Sequence, residues 1–235
     1  MSLNSFLSSE PLGSTNAHKG TVHAQLKMAQ HALTEQQIRT AWRGITHSFP
    51  TMCVNDGVIF EYNKRLTAQH VERMVHKLTK CPNRNVACPL FQYFYDPKNS
   101  TPHHVSAITL THFPGRCVLS FFDPKGRGSL RKKEESMLMH VLGKLISTQL
   151  KKPCTVMIYD GTNLQRTDNI GLCQLFSLFY MYEYIVQMTK PMNSLSIIRT
   201  IIDPNRMVNF IVNKHGKFDQ RALLSFWNTY FTHIN

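Results

Sequence analysis

The segment from Leu172 to Met188 constrains the fold most, because it is apolar on nearly every side. Polar residues interrupt it at Gln174, Ser177, Glu183 and Gln187. A helix of this composition either lies in the middle of a core or spans a membrane. The interruptions leave no uninterrupted run of roughly 18 apolar residues, which a membrane span needs. We therefore predict a central core helix, in a chain with no membrane partner.

The elements around this helix indicate an α+β fold, with a small mixed sheet packed against helices, because helices and strands follow each other without regular βαβ alternation. Thr34 and Gln37 form a capping-box pattern that opens the first helix. The predicted helices are 34–42, 67–80, 130–150, 172–188, 194–202 and 219–233, and the predicted strands are 90–95, 105–110, 117–122 and 154–159. The strands 105–110 and 117–122 form a hairpin with a loop of moderate length.

Two further features concern organisation. Residues 1–32 are rich in Ser, Asn, His and Gly without a sustained period, so we expect a flexible N-terminal extension before one domain at 33–235. The long helix 130–150 carries an apolar stripe that we expect to be buried. This stripe comprises Leu138, Val141, Leu142, Leu145 and Ile146.

The charge of the chain indicates a polyanionic partner. There are 27 Lys and Arg residues against 14 Asp and Glu, a net charge of +13. A surplus of this size favours contact with DNA of any sequence, and the alternative is a solvated basic face that serves solubility. The basic residues that cluster are Lys125, Arg127, Arg131, Lys132 and Lys133.

The six cysteines do not indicate a disulfide scaffold, because their density is low. Cys81 and Cys88 follow His76, but their spacing matches no common zinc site. We therefore predict free thiols and no metal.

Cys173 is the candidate nucleophile. It follows a polar loop and Gly171 at the start of the central helix. A helix N-terminus stabilises the thiolate, which is the reactive form of cysteine. The alternative is a small buried apolar residue.

His104 and Asp123 are the candidate partners of this thiol. His104 immediately precedes one strand of the predicted hairpin and Asp123 immediately follows the other, so antiparallel pairing brings them to the same end. A carboxylate at that position can fix the histidine tautomer. Gln165, which precedes Cys173, can donate to the oxyanion that forms when a thiolate attacks a carbonyl. The alternatives are a surface histidine, an Asp-Pro turn and a loop glutamine.

The order His, Asp, Gln, Cys resembles the adenovirus protease family, and more distantly the SUMO-deconjugating proteases. The matching motifs are His104-Val105-Ser106-Ala107-Ile108, Asp123-Pro124-Lys125-Gly126 and Cys173-Gln174-Leu175-Phe176. The resemblance covers roughly residues 90–185. Val105 stands where the family has Trp, and Gln174 stands where it has Gly.

This resemblance implies a papain-like, adenain-like cysteine protease fold with the nucleophile at the start of a central helix. It implies a viral endopeptidase that cleaves precursor virion proteins at Gly-containing sites, with Cys173 as nucleophile, His104 as base, Asp123 as orienting acid and Gln165 in the oxyanion hole. No cofactor is required for the chemistry. DNA and a cysteine-containing peptide act as activators, the peptide through a disulfide to the residue matching Cys154. The implied locations are the virion and the nucleus of the infected cell, and the expected state is a monomer.

Two other functions are consistent with these residues. The first is an isopeptidase that removes ubiquitin or SUMO, using the same triad. The second is a basic DNA-binding virion protein on a degenerate protease fold. Val105 and Gln174, which stand where the family has Trp and Gly, favour this second function.

Overall fold

The computed structural model describes residues 33–49, 58–61, 68–80, 90–95, 102–128, 132–164, 172–189, 195–212 and 220–231. For the strands 58–61 and 90–95, and for residues 102–104, it describes the backbone alone. The expectation of a flexible extension at 1–32 lies outside the described residues.

The described helices are α1 (Glu35–His47), α2 (Ala68–Thr79), α3 (Lys132–Leu150), α4 (Leu172–Thr189), α5 (Leu195–Ile202), α6 (Pro204–Met207) and α7 (Gln220–Tyr230). The predicted capping box opens α1: the Thr34 side chain accepts from the Gln37 N–H, and the Gln37 side chain accepts from the Thr34 N–H. The helix then continues beyond the predicted end at Trp42 to His47, because Ile45 is a further core position.

The sheet has five strands in the order β1 (Val58–Glu61), β2 (Leu90–Tyr95), β3 (Pro102–Phe113), β4 (Arg116–Phe122) and β5 (Cys154–Ile158). The β1–β2 and β4–β5 pairs are parallel, and β2–β3 and β3–β4 are antiparallel, so the sheet is mixed as predicted.

The hairpin of β3 and β4 differs from the prediction of a moderately long loop. Pairing continues to Phe113 and Arg116, so the connection is Pro114-Gly115 alone. Gly115 has φ +73, the left-handed conformation that a tight Pro-Gly turn requires.

The sheet separates two cores, because successive side chains of a strand point to opposite faces. On one face Val105, Ala107 and Phe122 pack with α4, whose residues Tyr184 and Ile185 are fully buried. The prediction of a central core helix at this segment is therefore confirmed.

On the opposite face Ile108, Leu110, Leu119 and Phe121 pack with α2 and α3. The predicted stripe of α3 is partly wrong. The buried face is centred on Leu142 and Ile146 with Met139 at one flank, so Val141 and Leu145 lie beyond the other flank and are 45% and 41% exposed.

Candidate active site

Cys173 lies in the first turn of α4 and is 1% exposed, with a free thiol. One helical turn further along, the hydroxyl of Ser177 donates to the backbone oxygen of Val105 at 2.9 Å, a buried hydrogen bond. Residues four apart lie on the same helix face, separated by about 6 Å along the axis. The second turn of α4 therefore contacts the start of β3, one turn beyond Cys173 and one residue after His104.

Asp123 directly follows β4 and is 2% exposed. Its Oδ1 accepts from the Lys125 N–H at 2.8 Å, and its backbone oxygen accepts from the Gly126 N–H at 2.9 Å. A carboxylate that caps its own turn in this way is held in one orientation. The adjacent Phe122 stacks on Tyr180 of α4, with ring centroids 4.1 Å apart, so the end of β4 is fixed against the nucleophile helix.

The backbone of His104 lies on β3, where it pairs with Phe94 of β2. The β3–β4 pairing ends at Ala107 and Phe122, so His104 and Asp123 continue from the same end of the hairpin, as the sequence predicts. The side chain of His104 lies outside the described part of the chain. The structure thus brings together the chain segments that carry His104, Asp123 and Cys173.

Gln165 lies outside the described residues, but the segment that leads to it is fixed beside the Asp123 loop. The Leu164 N–H donates to the Pro124 oxygen at 2.8 Å, and the Arg127 N–H donates to the Gly161 oxygen at 3.1 Å. Gly126 has φ +50, and a Cβ there would come within 2.5 Å of the Gly161 oxygen. The two loops approach this closely only because residue 126 is glycine.

Sequence reasoning missed Asn205, which braces the same segment. Its side chain accepts from the Asp160 N–H at 3.0 Å and donates to the Ile158 oxygen at 3.1 Å. Asp203 caps the short helix α6 and Pro204 opens it. The sequence Asp203-Pro204 is a typical helix start and could have predicted α6, though not the contacts of Asn205.

Tyr159 joins the segment that leads to Gln165 to the core. Its hydroxyl donates to the Thr162 oxygen at 3.0 Å, and its ring packs on Phe122 at 5.3 Å. Burial raises the pKa of Tyr159, so the hydroxyl keeps its proton and its hydrogen bond at neutral pH.

The predicted basic cluster is described in part. Lys133 is exposed at the start of α3, and Lys125 is half-buried in the Asp123 loop. Arg127 is exposed but pairs with Asp160, whose carboxylate lies 3.6 Å from the guanidinium. The side chains of Arg131 and Lys132 lie outside the described residues.

Cys154 is the first residue of β5 and is half-buried. It packs with the cluster formed by α2, α3 and the sheet, on the face opposite α4. Cys154 therefore does not pack against the central helix, because the β5 register turns its side chain to the other face.

The described residues contain no group of three or more His, Cys, Asp or Glu side chains placed to hold a metal ion. The pair Cys81 and Cys88 lies outside them. Within the same residues, no helix has the length and apolar character needed to cross a bilayer.

No protein-family model and no curated protein matches this chain. Among solved structures, AvrA delL154 with IP6 and CoA has a TM-score of 0.51 at 12% identity, covering 92% of this chain and 81% of AvrA. The Chlamydia trachomatis effector ChlaDUB1 has a TM-score of 0.47 at 11% identity, covering 95% and 96% of the two chains. The ASFV pS273R protease has a TM-score of 0.47 at 13% identity, covering 88% and 70%. At 12% identity the likeness to AvrA concerns the fold alone, and the helices and mixed sheet of this chain confirm the predicted α+β class.

Proposed function

We propose that the chain is a cysteine peptidase in which Cys173 is the nucleophile, His104 the base and Asp123 the acid that orients the base. The observation that carries this proposal is the hydrogen bond from Ser177 to Val105. This bond joins the α4 turn that follows Cys173 to the residue that follows His104, and Asp123 lies at the same end of the hairpin, where its own turn holds its carboxylate.

The chemistry follows from these positions. His104 takes the proton of Cys173, and the helix N-terminus stabilises the thiolate that attacks the substrate carbonyl. The tetrahedral oxyanion receives hydrogen bonds from the Gln165 amide and the backbone N–H of Cys173. The protonated imidazole then donates to the leaving amine, and water hydrolyses the thioester. Asp123 holds the ring and stays ionised throughout.

We further propose that this peptidase cleaves precursor virion proteins at Gly-containing sites and that DNA stimulates the cleavage. The proposed locations are the virion and the nucleus of the infected cell. The family resemblance supports the substrate class, and the net charge of +13 supports the polyanion. The basic cluster that includes Lys133 is the candidate DNA-binding surface. DNA binding should be independent of sequence and should weaken steeply as salt rises. Replacing Lys132 and Lys133 by Glu should weaken binding to all sequences alike.

The isopeptidase function uses the same triad and is separated by substrate. The AvrA structure contains IP6 and CoA, so transfer of an acyl group from CoA to the thiolate is a third chemistry to compare. A degenerate, non-enzymatic chain would bind DNA and process none of these substrates.

The test is a comparison of substrates on the full chain, with and without DNA or inositol hexakisphosphate. The substrates are peptides with Gly at the cut, C-terminal amides of ubiquitin and SUMO, and acetyl-CoA with a protein acceptor. We expect peptide cleavage that DNA increases and that Cys173→Ala abolishes. Turnover of the modifiers alone would assign the isopeptidase function, and acetyl transfer or no turnover would contradict a peptidase.

A further inference from the structure

A second cluster of nucleophilic and basic side chains lies away from the candidate active site, on the face of the sheet covered by α2 and α3. The register aligns His112 of β3 with Cys117 of β4, and Cys117 with Cys154 of β5. Register partners on neighbouring strands point to the same face, so the three side chains form one row. Lys152 lies at the edge of this row, with its Nζ 3.2 Å from Nδ1 of His112.

Cys117 and Cys154 are close enough to be joined. Neighbouring strands are about 4.8 Å apart, and a disulfide needs Cα atoms roughly 4.4–6.8 Å apart. The Cys117 N–H donates to the Pro153 oxygen at 2.8 Å, which fixes the two strands at this end. The Cys117 thiol also donates to the Pro153 oxygen, with the sulfur 3.6 Å from that oxygen. Both are free thiols, Cys117 fully buried and Cys154 half-buried.

Lys152 supplies a fixed positive charge to this pair. Its N–H donates to the Ser147 oxygen at 3.2 Å, and its own oxygen accepts from the Ser147 hydroxyl at 2.9 Å. The preceding Lys151 has φ 51, which tightens the turn between α3 and β5. The neighbouring Cys154 thiol, together with the Lys152 ammonium, lowers the pKa of Cys117. The Cys117 sulfur and burial raise the pKa of Cys154, and the Lys152 ammonium opposes this shift.

We propose that Cys117 and Cys154 form a dithiol site that reacts with small disulfides, such as glutathione disulfide, and closes to an internal Cys117–Cys154 disulfide. Cys154, the sulfur that solvent can reach, gives its proton to water and reacts as its minor thiolate form, which the Lys152 ammonium stabilises. This thiolate attacks one sulfur of the disulfide, and one glutathione leaves as a thiolate. It takes the proton of Cys117, whose sulfur then attacks the Cys154 sulfur and displaces the second glutathione, which takes up the proton released at the start. The protein loses two hydrogens, and one disulfide becomes two thiols.

This site changes what is expected of a peptide bound at Cys154. A mixed disulfide there is short-lived, because Cys117 lies beside it and displaces the peptide. The closed disulfide would join the beginning of β4 to the beginning of β5. The far ends of these strands carry Asp123 and the segment that leads to Gln165. Oxidation thus acts on the two loops of the candidate active site through the strands that support them.

The test uses full-length Cys173→Ala protein, so its outcome does not depend on peptidase activity. The protein is reduced, incubated with glutathione disulfide, quenched in acid, alkylated after denaturation and mapped by mass spectrometry. We expect linked peptides containing Cys117 and Cys154. Two double variants, each also carrying Cys173→Ala, test the single cysteines. With Cys117→Ser, glutathione should stay on Cys154. With Cys154→Ser, Cys117 should remain a thiol because it is buried.

A matched pair of lysine variants tests the role of the charge. Lys152→Gln should slow closure several-fold, whereas Lys151→Gln, with the same charge change at an exposed neighbour, should not. Glutathione that persists on Cys154 while Cys117 stays alkylatable would overturn the proposal. The proposal would also be overturned if neither Cys117 nor Cys154 reacted with glutathione disulfide in the folded protein. This measurement is made without replacing either cysteine.

Discussion

The backbone N–H of Leu33 donates to the side-chain oxygen of Gln174 at 2.6 Å, joining the first described residue to the residue after the candidate nucleophile. Both partners are buried, at 6% and 0% exposure. The family that the chain resembles has glycine at this position, which has no side chain to make such a bond. The exchange of glycine for Gln174 thus coincides with an anchor for the chain that precedes α1.

Gln174→Ala tests this anchor. The variant leaves the Leu33 N–H buried without this acceptor, so the free energy of unfolding should fall by about 1–3 kcal/mol. Urea unfolding measures the change. Gln149→Ala, the same replacement at an exposed position of α3, should stay within about 0.5 kcal/mol of the parent. Equal stabilities for the two variants would show that the hydrogen bond from Leu33 to Gln174 does not stabilise the fold.

Asp123→Asn should leave the fold intact and lower kcat by about 10⁴, the loss known for the corresponding change in a Ser-His-Asp triad. An amide cannot hold the histidine in the required tautomer or stabilise the imidazolium. Steady-state kinetics with a peptide substrate measure kcat, and circular dichroism checks the fold. The control is Asp160→Asn, because Asp160 is 56% exposed and its pair with Arg127 contributes little. Near-parental turnover in Asp123→Asn would assign the orienting role elsewhere.

Asn205→Ala should lower kcat/KM by about tenfold or more. The variant removes two hydrogen bonds, each contributing about 1 kcal/mol, from the segment that leads to Gln165. We expect most of the loss in kcat, since the oxyanion is formed after substrate binding. Asn209→Ala, at an exposed asparagine in the turn after α6, is the matched control. A loss confined to KM, or an equal loss in both variants, would mean that Asn205 does not position the oxyanion donor.

His112 should make stability depend on pH. Burial, and then the Lys152 ammonium, lower the pKa of His112 below its ordinary 6.5. The folded protein therefore keeps the ring neutral where the unfolded chain takes up a proton, and the free energy of unfolding decreases as pH falls below 6.5. Urea unfolding at about pH 7.5 and about pH 5.5 measures this loss. It should be smaller in His112→Gln than in the parent, and unchanged in His140→Gln on the exposed side of α3. An unchanged loss in His112→Gln would contradict this assignment.

The sequence predicts the parts of the fold that local patterns determine. The Thr34–Gln37 capping box, the β3–β4 hairpin and the core helix from Leu172 all follow from short-range chemistry, and the structure has them. The extra length of β3 does not follow, since Thr111 and His112 are polar yet buried, and burial depends on the neighbours that the fold supplies. The orientation of α3 is missed for the same reason.

The candidate site is predictable in its chain positions and less so in its supports. A histidine before one strand of a hairpin and an acid after the other must share an end, so the proximity of His104 and Asp123 can be derived. The contacts of Asn205 and Gln174 join residues distant in sequence, with separations of 45 and 141 residues. Their amides match no local pattern, so only the folded chain reveals them.

The central claim is that Cys173 is the nucleophile, and covalent capture tests it most directly. The native protein is incubated with a Gly-containing peptide that carries a thiol-reactive group, and the labelled residue is mapped by mass spectrometry. Our account predicts label on Cys173, lost in Cys173→Ala and strongly reduced in His104→Ala. Label on another cysteine with Cys173 unmodified, or equal labelling of Cys173→Ala, would contradict it.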